Sequence, residues 1–204
     1  LIKIDKTNIR VAALNTFASH QNEKVDMYPF CPNPLDFIYK KNIKSNFESF
    51  DNFLANFYNK IQKNSLFWEP SGHTTRNGYR SIGNLFNYKI TEIINLKKII
   101  FTEIENYKKK FFKIENTFIT EWPRNFDLKG WHIRLIREGY QRPHIHAAGW
   151  LSGCFYIKIP KNLKKNEGAI KFGLHGYDYP NHENLTNFIH TPKVFDMVLF
   201  PSSL

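Results

Sequence analysis

Two histidines one residue apart, His144 and His146, are the residues of this chain whose type and spacing point most directly to chemistry. On a strand, residues i and i+2 project to the same face, so both imidazoles can point together into a shared interior. Neutral imidazole nitrogens a few ångströms apart can chelate a first-row transition metal. A metal that must keep positions open for small molecules takes its protein ligands on one face. A strand pair of this kind supplies part of that face, and a distant strand supplies the rest. The bare spacing also occurs among packed or solvated histidines. His20, His73, His132, His175, His182 and His190 have no comparable local spacing and read as solvated or packing residues. Among these, His175 and His190 lie near strands that follow the pair and are the spare ligand candidates.

The elements that must position the pair change character along the chain. Residues 1–44 read as irregular, punctuated by Pro29, Pro32 and Pro34, with Asn8 to Phe17 the end of a helix. Apolar residues at Phe47, Phe50, Leu54, Phe57, Tyr58 and Ile61 predict an amphipathic helix over 47–63. Trp68 to Gly78 reads as a loop by its Gly, Pro, Ser and Thr content. Ile90, Ile93, Ile94, Phe101, Ile104, Tyr107 and Phe111 mark one face of a second helix that runs to Lys113. After Pro123 the texture turns to alternation, and strands are expected over Trp131–Ile136, Leu151–Ile159, Ala169–Leu174 and Val194–Phe200. Short strands following helices predict an α+β fold, a barrel or jelly roll with the N-terminal helices packed outside.

The chain has 204 residues, 42% hydrophobic and 16% aromatic with 19 Phe, enough apolar material for a real core. Lys and Arg number 29 against 18 Asp and Glu, a net charge of +11. Such an excess suits an acidic partner, nucleic acid or an anionic substrate. The lysines are scattered in short runs such as Lys108–Lys110 and Lys164–Lys165, and form no basic-aromatic stripe. The excess therefore reads first as the composition of a chain dense in Lys, Asn, Ile and Phe, and nucleic acid is not the expected partner. The two cysteines, Cys31 and Cys154, lie far apart, which argues against a disulfide framework or a cysteine zinc site and fits a reducing, cytoplasmic setting. No stretch is apolar over the length of a bilayer. The chain begins with Leu1 and ends at Leu204 in what reads as a strand-to-loop exit, so a piece of a longer protein is expected. Residues 1–45 would then be a linker or the tail of a preceding repeat domain, and 46–204 the main domain.

The surroundings of the histidine pair carry more information than the pair itself. His144-Ile145-His146 is followed by Gly149-Trp150-Leu151-Ser152-Gly153-Cys154-Phe155-Tyr156-Ile157, then Gly168-Ala169-Ile170-Lys171-Phe172, then Val198-Leu199-Phe200-Pro201-Ser202. Upstream stand Trp68-Glu69-Pro70, Thr74-Thr75, Gly78-Tyr79 and Asn84-Leu85-Phe86. This order resembles a family of 2-oxoglutarate/Fe(II) oxygenases often attached to tetratricopeptide repeats, over roughly Tyr28 to Leu204. The resemblance implies a double-stranded β-helix holding one Fe(II), with 2-oxoglutarate and dioxygen as co-substrates and a small molecule or a protein side chain as substrate. His144 matches the family's first metal ligand. His146 stands where better-known relatives carry Asp or Glu, so it is either a ligand in a three-histidine site or a pocket residue beside a water or anion. The distal histidine and the basic residue for 2-oxoglutarate would follow shortly after Leu204, so this stretch alone is expected to lack them and to be inactive. Tyr156 matches a position where related oxygenases place a tyrosine on 2-oxoglutarate, and it also reads as a core aromatic. Arg134 can face the pocket as an anion partner, or lie solvated on its strand. Ser152 and Gly153 have a packing explanation, since small residues let strands pass closely.

Two other readings compete. A cupin-type metalloprotein shares the His-x-His pattern, but no Glu follows His146 at that family's interval. A non-catalytic β-helix module, with the carboxylate already replaced at His146, would keep the fold and bind a partner instead.

Overall fold

The structure, a computed structural model, describes residues 5–47, 50–62, 66–177, 179–180 and 186–204. His182 lies outside them. The chain divides into two compact units, Leu1–Lys44 with Tyr107–Pro123 and His144–Leu204, and Ser45–Asn106 with Arg124–Pro143.

In the first unit, residues 5–44 are more ordered than their composition suggests. Helix α1 (Ile9–Gln21) starts where the Asn8 side chain accepts the backbone N–H groups of Arg10 and Val11. Ile9, Ala12, Ala13, Thr16 and Phe17, spaced by three and one, form its buried face. Strand β1 (Tyr39–Asn42) joins β8 (Asp196–Pro201) and β5 (Leu151–Phe155) in an antiparallel sheet of order β1-β8-β5. The segment expected as a linker thus supplies the sheet's edge strand. Cross-strand partners share a face, so the register sets Asn42, Asp196, Val198, Phe200, Ser152 and Cys154 on one side. A hairpin of β6 (Ile170–Gly173) and β7 (Asn187–His190) covers that side. Phe172, Val198 and Phe200 are its buried centre, with Cys154, Tyr156, Ile170 and Phe188 packed round them. The Phe172 and Phe200 rings meet edge to face at 4.8 Å.

The opposite face, with Met197 and Leu199, is buried as well. Gly153 is required here, because a Cβ on it would come within 2.6 Å of the Leu199 side chain. Tyr39 meets Tyr107, whose hydroxyl donates to the Phe37 carbonyl at 2.8 Å. Short helix α4 (Thr117–Thr120), capped by Asn116, brings Phe118 against Phe30 and Trp150.

The second unit holds α2 (Phe50–Gln62), most of α3 (Thr91–Phe111), and an antiparallel sheet of β2 (Leu66–Trp68), β3 (Thr75–Ser81) and β4 (Ile133–Gln141). Lys60 on α2 pairs with Glu92 on α3 at 2.8 Å, and Phe57, Ile61, Ile93 and Leu96 are buried. Both helices lie where the periodicity predicts them. The loop expected over 68–78 is found over 69–74, between β2 and β3. The last residues of the expected stretch join β3 instead, where Thr75 is fully buried and the ladder to β4 absorbs a bulge between Arg76 and Gly78.

The fold is therefore mixed α/β with antiparallel sheets. Among the described residues the strands pair as three separate sheets and do not close into a barrel. No described helix is long and apolar enough to cross a membrane.

Candidate metal centre

The His144–His146 segment is not on a strand. Arg142 N–H donates the last bond of that run, to the Thr74 carbonyl, and Pro143 has no N–H with which to continue. The chain then turns, with Gly149 N–H donating to the His146 carbonyl at 2.8 Å. His146 N–H donates to the Ser202 carbonyl, and Ser202 N–H to that of Trp150, each at 3.0 Å. Ile145 is buried and its two neighbours are half-buried.

The rings do converge. His144 Nε2 and His146 Nε2 are 3.1 Å apart, with ring centroids 5.0 Å apart and planes at 49°. Two nitrogens bound at right angles to one ion, each about 2.1 Å from it, would stand about 3 Å apart. The pair therefore has the span of one edge of a metal's coordination shell.

On its far side, the His146 ring rests on a hydroxyl chain. Its Nδ1 lies 2.6 Å from Ser152 Oγ, which lies 2.7 Å from Ser202 Oγ. Ser202 is completely buried and Ser152 is 8% exposed. Gly149 makes room for the chain: a Cβ there would stand 2.7 Å from Ser202 Oγ.

The other candidates fall elsewhere. Tyr156 packs into the apolar cluster round Val198, and burial raises the pKa of its phenol above the ordinary value, with the neighbouring Cys154 adding to the shift. Arg134 belongs to the second unit, on β4, with its guanidinium 4.6 Å over the Tyr79 ring. His190 Nε2 is engaged by Asp196 Oδ2 at 3.1 Å. His175 folds back over Gly173, where its ring would crowd any Cβ. His132, in the second unit, has its pKa lowered by burial and then by Arg134. Among the described residues, no group of three or more His, Cys, Asp or Glu side chains gathers as a metal shell. The described chain thus fits a metal with one two-nitrogen edge.

Sequence reasoning missed the hydroxyl chain. Ser152 read as packing, and Ser202 as part of a strand exit. Only the β5–β8 register, which sets Ser152 opposite Phe200 and so beside Ser202, brings the two together.

Comparison with known families bears on this same segment. Residues 129–204 match the sequence model of the family described as "Putative 2OG-Fe(II) oxygenase". The match takes in both histidines, both serines and strands β4 to β8. It supports an oxygenase function with Fe(II) and 2-oxoglutarate as cofactors, dioxygen as co-substrate and an unidentified substrate. No curated protein and no solved structure gives a significant match to the chain.

Proposed function

We propose that this protein is a 2-oxoglutarate-dependent dioxygenase of the hydroxylase type, with His144 and His146 holding its Fe(II). The observation that carries the reading is the 3.1 Å approach of the two Nε2 atoms within the segment that matches the family. When bound, the iron would supply activation of dioxygen coupled to oxidative decarboxylation of 2-oxoglutarate to succinate. The protein's part is to hold two neutral imidazoles at a fixed angle, which the backbone bond from His146 to Ser202 and the turn at Gly149 accomplish. In this reading the β1-β8-β5 sheet and its covering hairpin are parts of a double-stranded β-helix, and the half-buried rings lie at its mouth.

Tyr156 is the proposed partner of a 2-oxoglutarate carboxylate. A phenol kept protonated by burial can donate a hydrogen bond to a carboxylate. A cytoplasmic setting fits the reading, since Cys31 and Cys154 are free thiols and ferrous iron needs a reducing environment.

Anaerobic titration of the full-length protein with Fe(II) and 2-oxoglutarate tests the proposal through the visible charge-transfer band of the chelated keto acid. The band is expected in the wild type and absent in His144→Ala. A wild type that retains no metal and shows no band would overturn the enzyme and favour a binding module built on the same sheets.

A further inference from the structure

We infer that Ser152 and Ser202 are positioning residues that commit His146 to metal binding through Nε2. The inference rests on the proposed metal site and answers a question that the site leaves open, whether His146 is a ligand or only lines the pocket.

An imidazole has two nitrogens, and the partner of one decides what the other can do. Here Nδ1 is taken by Ser152 Oγ at 2.6 Å, on the buried side of the ring. Nε2, on the other side of the ring, faces His144 Nε2 at 3.1 Å. A lone serine could hold the ring in more than one rotamer. Ser152 is itself held by Ser202 at 2.7 Å, and Ser202 has no exposed surface. Ser202 also accepts the backbone N–H of His146, so one residue fixes the ligand's main chain and, through Ser152, its ring. Gly149 keeps this spot clear, as any larger residue would collide with Ser202 Oγ.

Hydroxyls suit the task chemically. A neutral imidazole bound through Nε2 must carry its proton on Nδ1, so it donates to Ser152 Oγ, and the Ser152 hydroxyl can donate onward to Ser202 Oγ.

The test is ring ¹⁵N NMR of the histidines during titration with zinc, a diamagnetic probe, together with calorimetric zinc affinity. In the wild type, zinc is expected to shift Nε2 of both His144 and His146 and to leave His146 Nδ1 protonated. Ser152→Ala should weaken zinc binding about ten- to a hundredfold. Its His146 signal should show mixed tautomers, while the His190 signal is unchanged and reports an intact fold. Ser152→Thr, which restores the hydroxyl, should recover most of the affinity, and Ser202→Ala should lose less than Ser152→Ala. If zinc shifts His144 but not His146, or if Ser152→Ala binds as the wild type does, the serine inference is wrong and the metal site survives with another partner. If zinc shifts neither ring, the metal site fails and the inference with it.

Discussion

Strand β8 carries a polar cluster at each end of one apolar core, and both clusters contain histidine. At the N-terminal end, His190 Nε2 meets Asp196 Oδ2, whose carboxylate also accepts Lys193 N–H at 2.8 Å and, through Oδ1, Asn42 Nδ2 at 2.8 Å. At the other end, about 17 Å away along the strand, His146 rests on two serines and turns its second nitrogen toward His144. Val198 and Phe200 separate them. A histidine whose ring nitrogen is engaged by a carboxylate, itself saturated by other donors, is a cross-link between β1, β7 and β8. A histidine held from behind by neutral hydroxyls has its second nitrogen facing another imidazole instead of a carboxylate. The difference lies in the partners and not in the residue type, so one end stabilises the fold while the other holds the proposed chemistry.

Changes on and beside β8 should separate these roles. Phe200→Ala, which empties the shared core, should cost the most, about 4 kcal/mol in urea denaturation. Asp196→Ala strands one backbone N–H, one amide and one imidazole and should cost about 3 kcal/mol, while zinc affinity of the folded protein stays at the wild-type value. A small stability loss joined to a loss of zinc would erase the distinction between the ends. His144→Ala, which truncates a half-buried ring, should cost less than about 1 kcal/mol and remove metal binding. The smallest effect near neutral pH concerns Cys154, on the same face between the two ends. Burial pushes its thiol up from 9.0 to about 11. The folded state therefore keeps a proton that the unfolded chain releases, and stability should fall as pH rises from 9 toward 11. Cys154→Ala should flatten that part of the pH profile, and an unchanged slope would mean that the thiol is solvated.

The contrast between the ends was only partly legible in the sequence. The periodic apolar faces of α2 and α3 and the alternation of β5, β6 and β8 are local patterns, and local patterns can be read directly. The convergence of His144 and His146 was also legible, although the segment that carries them follows Pro143 outside any strand. Strand β1 was hidden because Tyr-Lys-Lys-Asn is polar and its partner β8 lies more than 150 residues away, as the Asn42–Asp196 bond shows by its separation of 154. Strand β3 was hidden by Thr, Asn, Gly and Ser, whose burial is decided by the neighbouring strand. His190 looked like a spare ligand because its neighbour across the turn, Asp196, becomes a partner only when β8 starts there. In the same way, the serine pair joins residues 50 apart. Contacts of that range depend on strand register, which composition does not carry.

The central claim is that the metal belongs to the His144–His146 end and not to the His190 end. Calorimetric titration with zinc of three variants, His144→Ala, His146→Ala and His190→Ala, tests it most directly. The first two are expected to lose binding, and His190→Ala to bind as the wild type does, at reduced thermal stability. Retention of zinc by the first two, or its loss in His190→Ala, would contradict it.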